Sequence, residues 1–205
     1  MLVVELRFLT GRYHATPWGR NVNEGAVEWP PSPYRLVRAL IDVWKRKRPD
    51  WPAEKVEPIL AALASEPPVI SLPPANSAHT RSWLSANSVD IFDKQLVFDA
   101  FVVLSPESRV LLGWPGVDLD SASFSSLNEL LGLLNYLGRS ESWITAGATS
   151  QSEASPSDPA VWNCRPLDNS IPTSTPDAEN PPNPRPPSNP IWESVRVACP
   201  VPSGA

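Results

Sequence analysis

Half of the 26 prolines in this 205-residue chain fall between residues 156 and 202. Proline lacks a backbone donor and clashes with the preceding turn, so it is disfavoured in helix interiors and central strands. The sequence around these prolines is rich in Ser, Asn and Asp. Such a stretch cannot bury enough apolar surface to offset its ordering entropy. The fold must therefore come from residues 1–150. We read 151–190 as a Pro-rich linker and 191–205 as a tail leading to a second module absent from this chain. Within that tail, Ile191–Val201 has the pattern of an isolated strand.

Periodicity orders the first 150 residues. Leu2, Val4, Leu6 and Phe8 alternate with Val3, Glu5, Arg7 and Leu9, which predicts a half-buried strand. Ser32-Pro33 reads as a helix start, with serine as cap and proline at the first helical position. Leu36, Val37, Leu40, Ile41 and Trp44 recur at helical spacing, and Lys45–Arg48 then Pro49 close the element. A shorter helix is expected over 53–64, disturbed by Pro58, and a short strand over 69–72. Residues 73–95 show no clear period and suit a projecting segment. In 95–104, Leu96, Phe98, Ala100, Val102 and Leu104 share one face of a strand, and 109–114 returns after a turn. Ser126–Glu129 has the form of a capping box. Leu127, Leu130, Leu131, Leu134 and Leu137 make a helix face, which Gly138 would stop. A last strand covers 141–148. The order β-α-β-β-α-β predicts an α+β chain with a ferredoxin-like (RRM-like) sheet, insertions, and a Pro-rich C-terminal tail.

The net charge of -5 hides a gradient. Residues 1–50 hold nine Lys/Arg against five Asp/Glu; the remainder holds eight against seventeen. Fields act over about 10 Å, so a basic patch can work on an acidic chain. The two cysteines, Cys164 and Cys199, lack neighbours at metal-ligand spacing, and a reducing cytoplasmic setting is expected. No apolar run is long enough to span a membrane, and the start, with Glu5 and Arg7, reads as a strand rather than a signal peptide.

The chemistry is concentrated in Gly11–Arg20, where Arg12, Tyr13, His14, Trp18 and Arg20 crowd into one turn. Guanidinium and imidazole groups need partners when buried. An exposed loop of this composition suits RNA, with arginine for phosphate and rings for stacking. A polar loop whose Trp18 covers the core is the alternative. Arg35 and Arg38 lie near the first strand–helix junction, Arg139 follows Gly138, and His79, Arg81 and Trp83 form a second polar-aromatic cluster. For catalysis the inventory is thin. No metal-ligand spacing and no phosphate-cradling glycine loop is present, so we expect neither a metal nor a cofactor. His14 or His79 as acid-base groups of a metal-independent ribonuclease is the catalytic alternative. A scaffold whose loop packs on protein is a third reading.

The segments MLVVELRFLTGRYHATPWGRNVNEG and EWPPSPYRLVRALIDVWKRK, with HTRSW, LVFDAFVVL and NYLGRSESWITA following in order, resemble the front half of the type I-G (formerly I-U) CRISPR-associated fusion subunit. In that family a Cas-five-like module is fused to a Cas-six-like one. The likeness covers roughly 1–148 and resumes weakly at 191–201. It implies a RAMP-superfamily fold and a role in antiviral defence within a Cascade surveillance complex. This chain would hold the 5′ handle of the CRISPR RNA, through Arg12, Tyr13, His14, Trp18 and Arg20 with help from Arg81 and Arg139. Implied partners are CRISPR RNA, the backbone Cascade subunits, a repeat-processing module that carries the nuclease activity, and target DNA near its flanking motif. In HTRSW, Ser82 stands where the family carries an aromatic residue, which weakens a stacking role at that position.

Overall fold

The computed structural model describes residues 1–21, 25–85, 94–150, 165–166 and 197–198. Its elements run β1 (Leu2–Phe8), β2 (Arg12–Tyr13), α1 (Pro33–Lys47), α2 (Ala53–Ala64), β3 (Val69–Ser71), β4 (Ala75–Ser85), β5 (Lys94–Leu104), β6 (Val110–Trp114), α3 (Ser121–Gly132), β7 (Ile144–Ser150), β8 (Arg165–Pro166) and β9 (Val197–Ala198). The chain is α+β with antiparallel sheets. Most of the expected linker 151–190 and tail 191–205 lies outside the described residues. Within them, Arg165–Pro166 pairs antiparallel with Val197–Ala198.

The alternation of β1 sets the main sheet. Leu2, Val4, Leu6 and Phe8 are buried, and opposite them on the same face stand Trp114, Leu112 and Val110 of β6 and Ala148 and Ile144 of β7. Adding β3 on β6 gives the order β3-β6-β1-β7, all neighbours antiparallel. β1 and β3 therefore run parallel with β6 between them, and α1 and α2 make the crossover. The core joins this face to Leu36, Leu40, Val43 and Trp44 of α1, to Val56, Ile59, Leu60 and Leu63 of α2, and to Leu127, Leu130 and Leu131 of α3. Pro58 sits on an exposed position of α2 and leaves the helix continuous. On the reverse face Val3 is buried with Val69, against Met1 and Leu111.

A second sheet, β2-β5-β4, stands beside the first. Residues 73–95 lack a hydrophobic period, yet Ala75–Ser85 form a strand paired with β5 over its whole length. The reason is exposure. His79 through Trp83 are all exposed, so neither face needs to be apolar. Register assigns the faces, because directly opposed residues share one. Tyr13, Val102, His79, Phe98, Arg81, Leu96 and Trp83 share the first face; Arg12, Val103, Phe101, Thr80 and Asp99 share the second.

Two boundaries differ from expectation. α3 begins at Ser121, capped by Asp120, whose side chain accepts from the backbone N–H groups of Ala122 and Ser123. Ser126 is inside the helix, and its hydroxyl donates to the Ala122 carbonyl at 2.9 Å. The helix ends at Gly132 rather than Gly138. Gly138 has φ 90° for another reason: a Cβ there would lie 2.5 Å from the His14 carbonyl oxygen. The Trp29–Pro30 bond is cis.

Candidate nucleic-acid interface

The turn after β1 does not face outward as a whole. Tyr13 and His14, expected on an exposed RNA-gripping loop, are buried at 0% and 4% exposure. Tyr13 is drawn in because its ring packs on Phe8 and Trp29, at 5.0 and 6.2 Å between centroids, and its hydroxyl finds a carboxylate. It donates to Glu28 Oε1 at 2.5 Å. The same carboxylate accepts from the Ser32 backbone N–H and is bracketed by Arg35, with Nε on Oε1 and Nη2 on Oε2, all at 2.9 Å. Arg35 Nη2 also donates to the Thr16 carbonyl. Arg35 is thus committed within the fold rather than offered to phosphate. Burial, reinforced by the neighbouring Glu28 charge, pushes the Tyr13 phenol well above its usual range. The hydrogen bonds that Arg35 donates to Glu28 hold its guanidinium still more firmly protonated.

His14 lies among carboxylates. Its Nδ1 is 2.6 Å from Glu141 Oε1, and its Nε2 is 4.0 Å from Asp99 Oδ1. Its backbone N–H donates to the Ser142 hydroxyl, and its carbonyl accepts from the Arg139 backbone N–H at 2.8 Å. Arg139 Nη1 donates to Asp99 Oδ1 at 3.0 Å. Burial opposes ionisation of Glu141. Hydrogen bonds from its own backbone N–H and from His14, with the charges of His14 and Arg139, outweigh that and hold its pKa below the usual carboxylate range. Buried between these carboxylates, His14 links the segment after β2 to Glu141 and Ser142.

Among the described residues, exposed side chains singled out in the sequence form two clusters. At the start of α1, Trp18 is 62% exposed and meets Tyr34 edge-on at 6.0 Å. Arg38 crosses the same Tyr34 ring at 5.7 Å, and its Nη1 donates to the phenol oxygen at 3.0 Å. Gly19, at φ 77°, lets the chain turn so that the Arg20 N–H bonds the Pro17 carbonyl, leaving Trp18 at the tip with exposed Arg20 beside it. On the first face of the second sheet, His79 stacks on Phe98 at 4.5 Å with the planes 17° apart. The Arg81 guanidinium lies 5.3 Å from the same ring. Gly25 backs Phe98, where a Cβ would come within 3.0 Å of the ring. Trp83 follows at 65% exposure, opposite exposed Leu96. Each cluster sets flat rings beside guanidinium groups, the pairing that single-stranded nucleic acids engage by stacking and phosphate contact.

The residues singled out in the sequence therefore divide. Trp18, Arg20 and Arg38 share one exposed patch, and His79, Arg81 and Trp83 share another. Arg12, His14 and Arg139 collect at the second face of the second sheet, where Arg12 lies 3.9 Å over Phe101. Tyr13 and Arg35 belong to the buried knot. Sequence reasoning missed Tyr34, Phe98, Glu28, Asp99 and Glu141. Phe98 was legible as part of a strand face, but that face runs from core at Val102 and Leu104 to surface at Leu96. Tyr34 lies one residue before Arg35 and one helical turn before Arg38, a spacing that could have flagged it.

Among the described residues no group of three or more His, Cys, Asp or Glu is placed to hold a metal ion, and no helix is long and apolar enough to cross a membrane. The chain matches no protein-family model and no curated protein.

Proposed function

We propose that this chain is a non-catalytic RNA-binding and assembly subunit that holds single-stranded RNA across the Trp18–Tyr34–Arg38 and His79–Phe98–Arg81–Trp83 clusters. The observation that carries the reading is the second cluster. There an exposed imidazole covers Phe98, Arg81 lies against the same ring, and a large exposed indole follows on the same strand. Phosphate contacts by Arg38 and Arg81 supply affinity, and the rings supply base contacts. The resemblance of residues 1–148 to the type I-G fusion subunit names the RNA as the 5′ handle of a CRISPR RNA. It names the setting as a cytoplasmic Cascade complex, with backbone subunits, a repeat-processing module and target DNA near the flanking motif as neighbours. The strand order β3-β6-β1-β7, with β1 and β3 parallel about β6, supports a ferredoxin-like reading of the first sheet; the long β4–β5 hairpin is then an insertion.

Electrophoresis of the purified chain with handle-bearing and handle-free RNA tests this. W18A, R81A and W83A are expected to lose affinity for handle RNA, while the RNA itself stays intact in chelator. Cleavage that is lost in H79A would replace the reading with a ribonuclease.

A further inference from the structure

Among the terminal strands of the two large sheets, β4 differs from the rest. β7 is covered by α3 and its flanks: the Ala148 N–H donates to Asn128 Oδ1 at 2.7 Å, and the Ile144 N–H to the Asn135 carbonyl at 3.0 Å. β3 has three residues and lies between Pro67-Pro68 and Pro73-Pro74. β2 has two residues. β4 has eleven, with no proline, glycine or lysine and a single formal charge at Arg81. Among the described residues it is the end strand of its sheet, and the five consecutive residues His79–Trp83 are exposed on both faces. Natural folds shorten, charge, bend or cover such edges, because a long open edge templates strand pairing.

One register of this edge sets its single cation opposite its exposed indole. We propose that β4 pairs antiparallel with β4 of a second copy of this chain, about a two-fold axis at Ser82. That axis sets Arg81 opposite Trp83 of the other copy, twice over, each a cation facing an exposed ring on the first face. An axis at Arg81 would oppose two guanidinium groups, which is unfavourable. An axis at Thr80 would set Arg81 against His79 and leave both indoles opposite Ser77. The Ser82 register joins the two sheets into one with strand order β2-β5-β4-β4-β5-β2. A two-fold axis perpendicular to that sheet keeps both His79–Phe98 stacks on one side. The pairing stands whether or not those stacks bind RNA.

The test uses the full chain with Cys164 and Cys199 replaced by serine, carrying S82C or T80C, under mild oxidation. Directly opposed residues lie about 5 Å apart between Cα atoms, within disulfide reach. Two Thr80 positions in this register are offset by four residues, about 13 Å along the strands, and are out of reach. S82C is expected to form a covalent dimer and T80C to remain uncoupled. Light scattering across a concentration series is expected to show reversible dimerisation that R81A and W83A each weaken several-fold. A chain that stays monomeric throughout, with S82C coupling no better than T80C, overturns the proposal and leaves β4 to a strand of another protein or to RNA alone. A dimer that couples through T80C instead overturns it as well.

Discussion

Glu28 is the residue on which the chemistry of the first fifty positions converges. Its carboxylate ties the phenol of β2, the backbone before α1 and the guanidinium of Arg35, while its own N–H donates to the Ala15 carbonyl. Removing one member of a mostly buried ion pair strands the other, which costs about 3–5 kcal/mol. E28A is therefore expected to lose about 3 kcal/mol of stability in urea unfolding, and Y13F about 1–2 kcal/mol for one hydrogen bond to a charged acceptor. The raised Tyr13 pKa has a definite sign. The neutral phenol is the form the fold stabilises. Its contribution is complete below the usual tyrosine value of about 10 and is lost as pH rises from there through the higher native value. Absorbance titration should show one of the three tyrosines ionising only as the chain unfolds. Glu141 works in the opposite direction. Its lowered pKa adds stability above the unfolded carboxylate value, and that stability is lost as pH falls through the native one. E141Q should flatten the acid limb of the stability profile.

At the scale of elements, two glycines make opposite predictions. At Gly138 the backbone is left-handed and a Cβ would strike the His14 carbonyl, so G138A should destabilise by about 1–3 kcal/mol. Gly132 closes α3, and a methyl group added there would meet nothing within 4 Å, so G132A should be neutral or stabilising by up to about 1 kcal/mol. Differential scanning calorimetry of the pair reads both. These glycines also mark how far the sequence was legible. β1 and α1 showed in the pattern because one face of each is apolar and the other wet. The crossing of Gly138 over His14 is a contact between segments more than a hundred residues apart, and nothing local announces it. α3 was misplaced at both ends because a plausible capping box at Ser126–Glu129 competes with the true cap, Asp120, and because Leu134 and Leu137 are buried without being helical. β4 was missed because a strand exposed on both faces carries no hydrophobic alternation. The composition of Gly11–Arg20 suits an exposed loop as well as a packed one, so it does not place Tyr13 and His14. Their burial depends on Glu28, Glu141 and Asp99, whose pairing is set by tertiary structure.

For the molecule as a whole, charge and ring placement decide the reading. Arg7 with Glu107, Glu5 with Arg109 and Arg48 with Glu129 are surface ion pairs in which each charge is balanced by its partner. Lys47 and Arg48 of the basic run fasten the end of α1 to α3, with Lys47 Nζ donating to the Leu133 carbonyl and Arg48 Nε to Glu129. The run is therefore in part a helix anchor. Arg38 and Arg81, by contrast, lie against aromatic rings that also carry exposed side chains suited to stacking. A site of this kind binds through both phosphates and bases, so its affinity must fall as salt rises, and the slope must shrink when one cation is removed. The most direct measurement is a fluorescence-anisotropy titration of labelled handle RNA at two salt concentrations, with the parent chain, R81A and W83A. The account predicts binding that weakens with salt, a shallower salt dependence for R81A, and lower affinity at unchanged salt dependence for W83A. Binding that ignores salt, or that both variants leave intact, would contradict it.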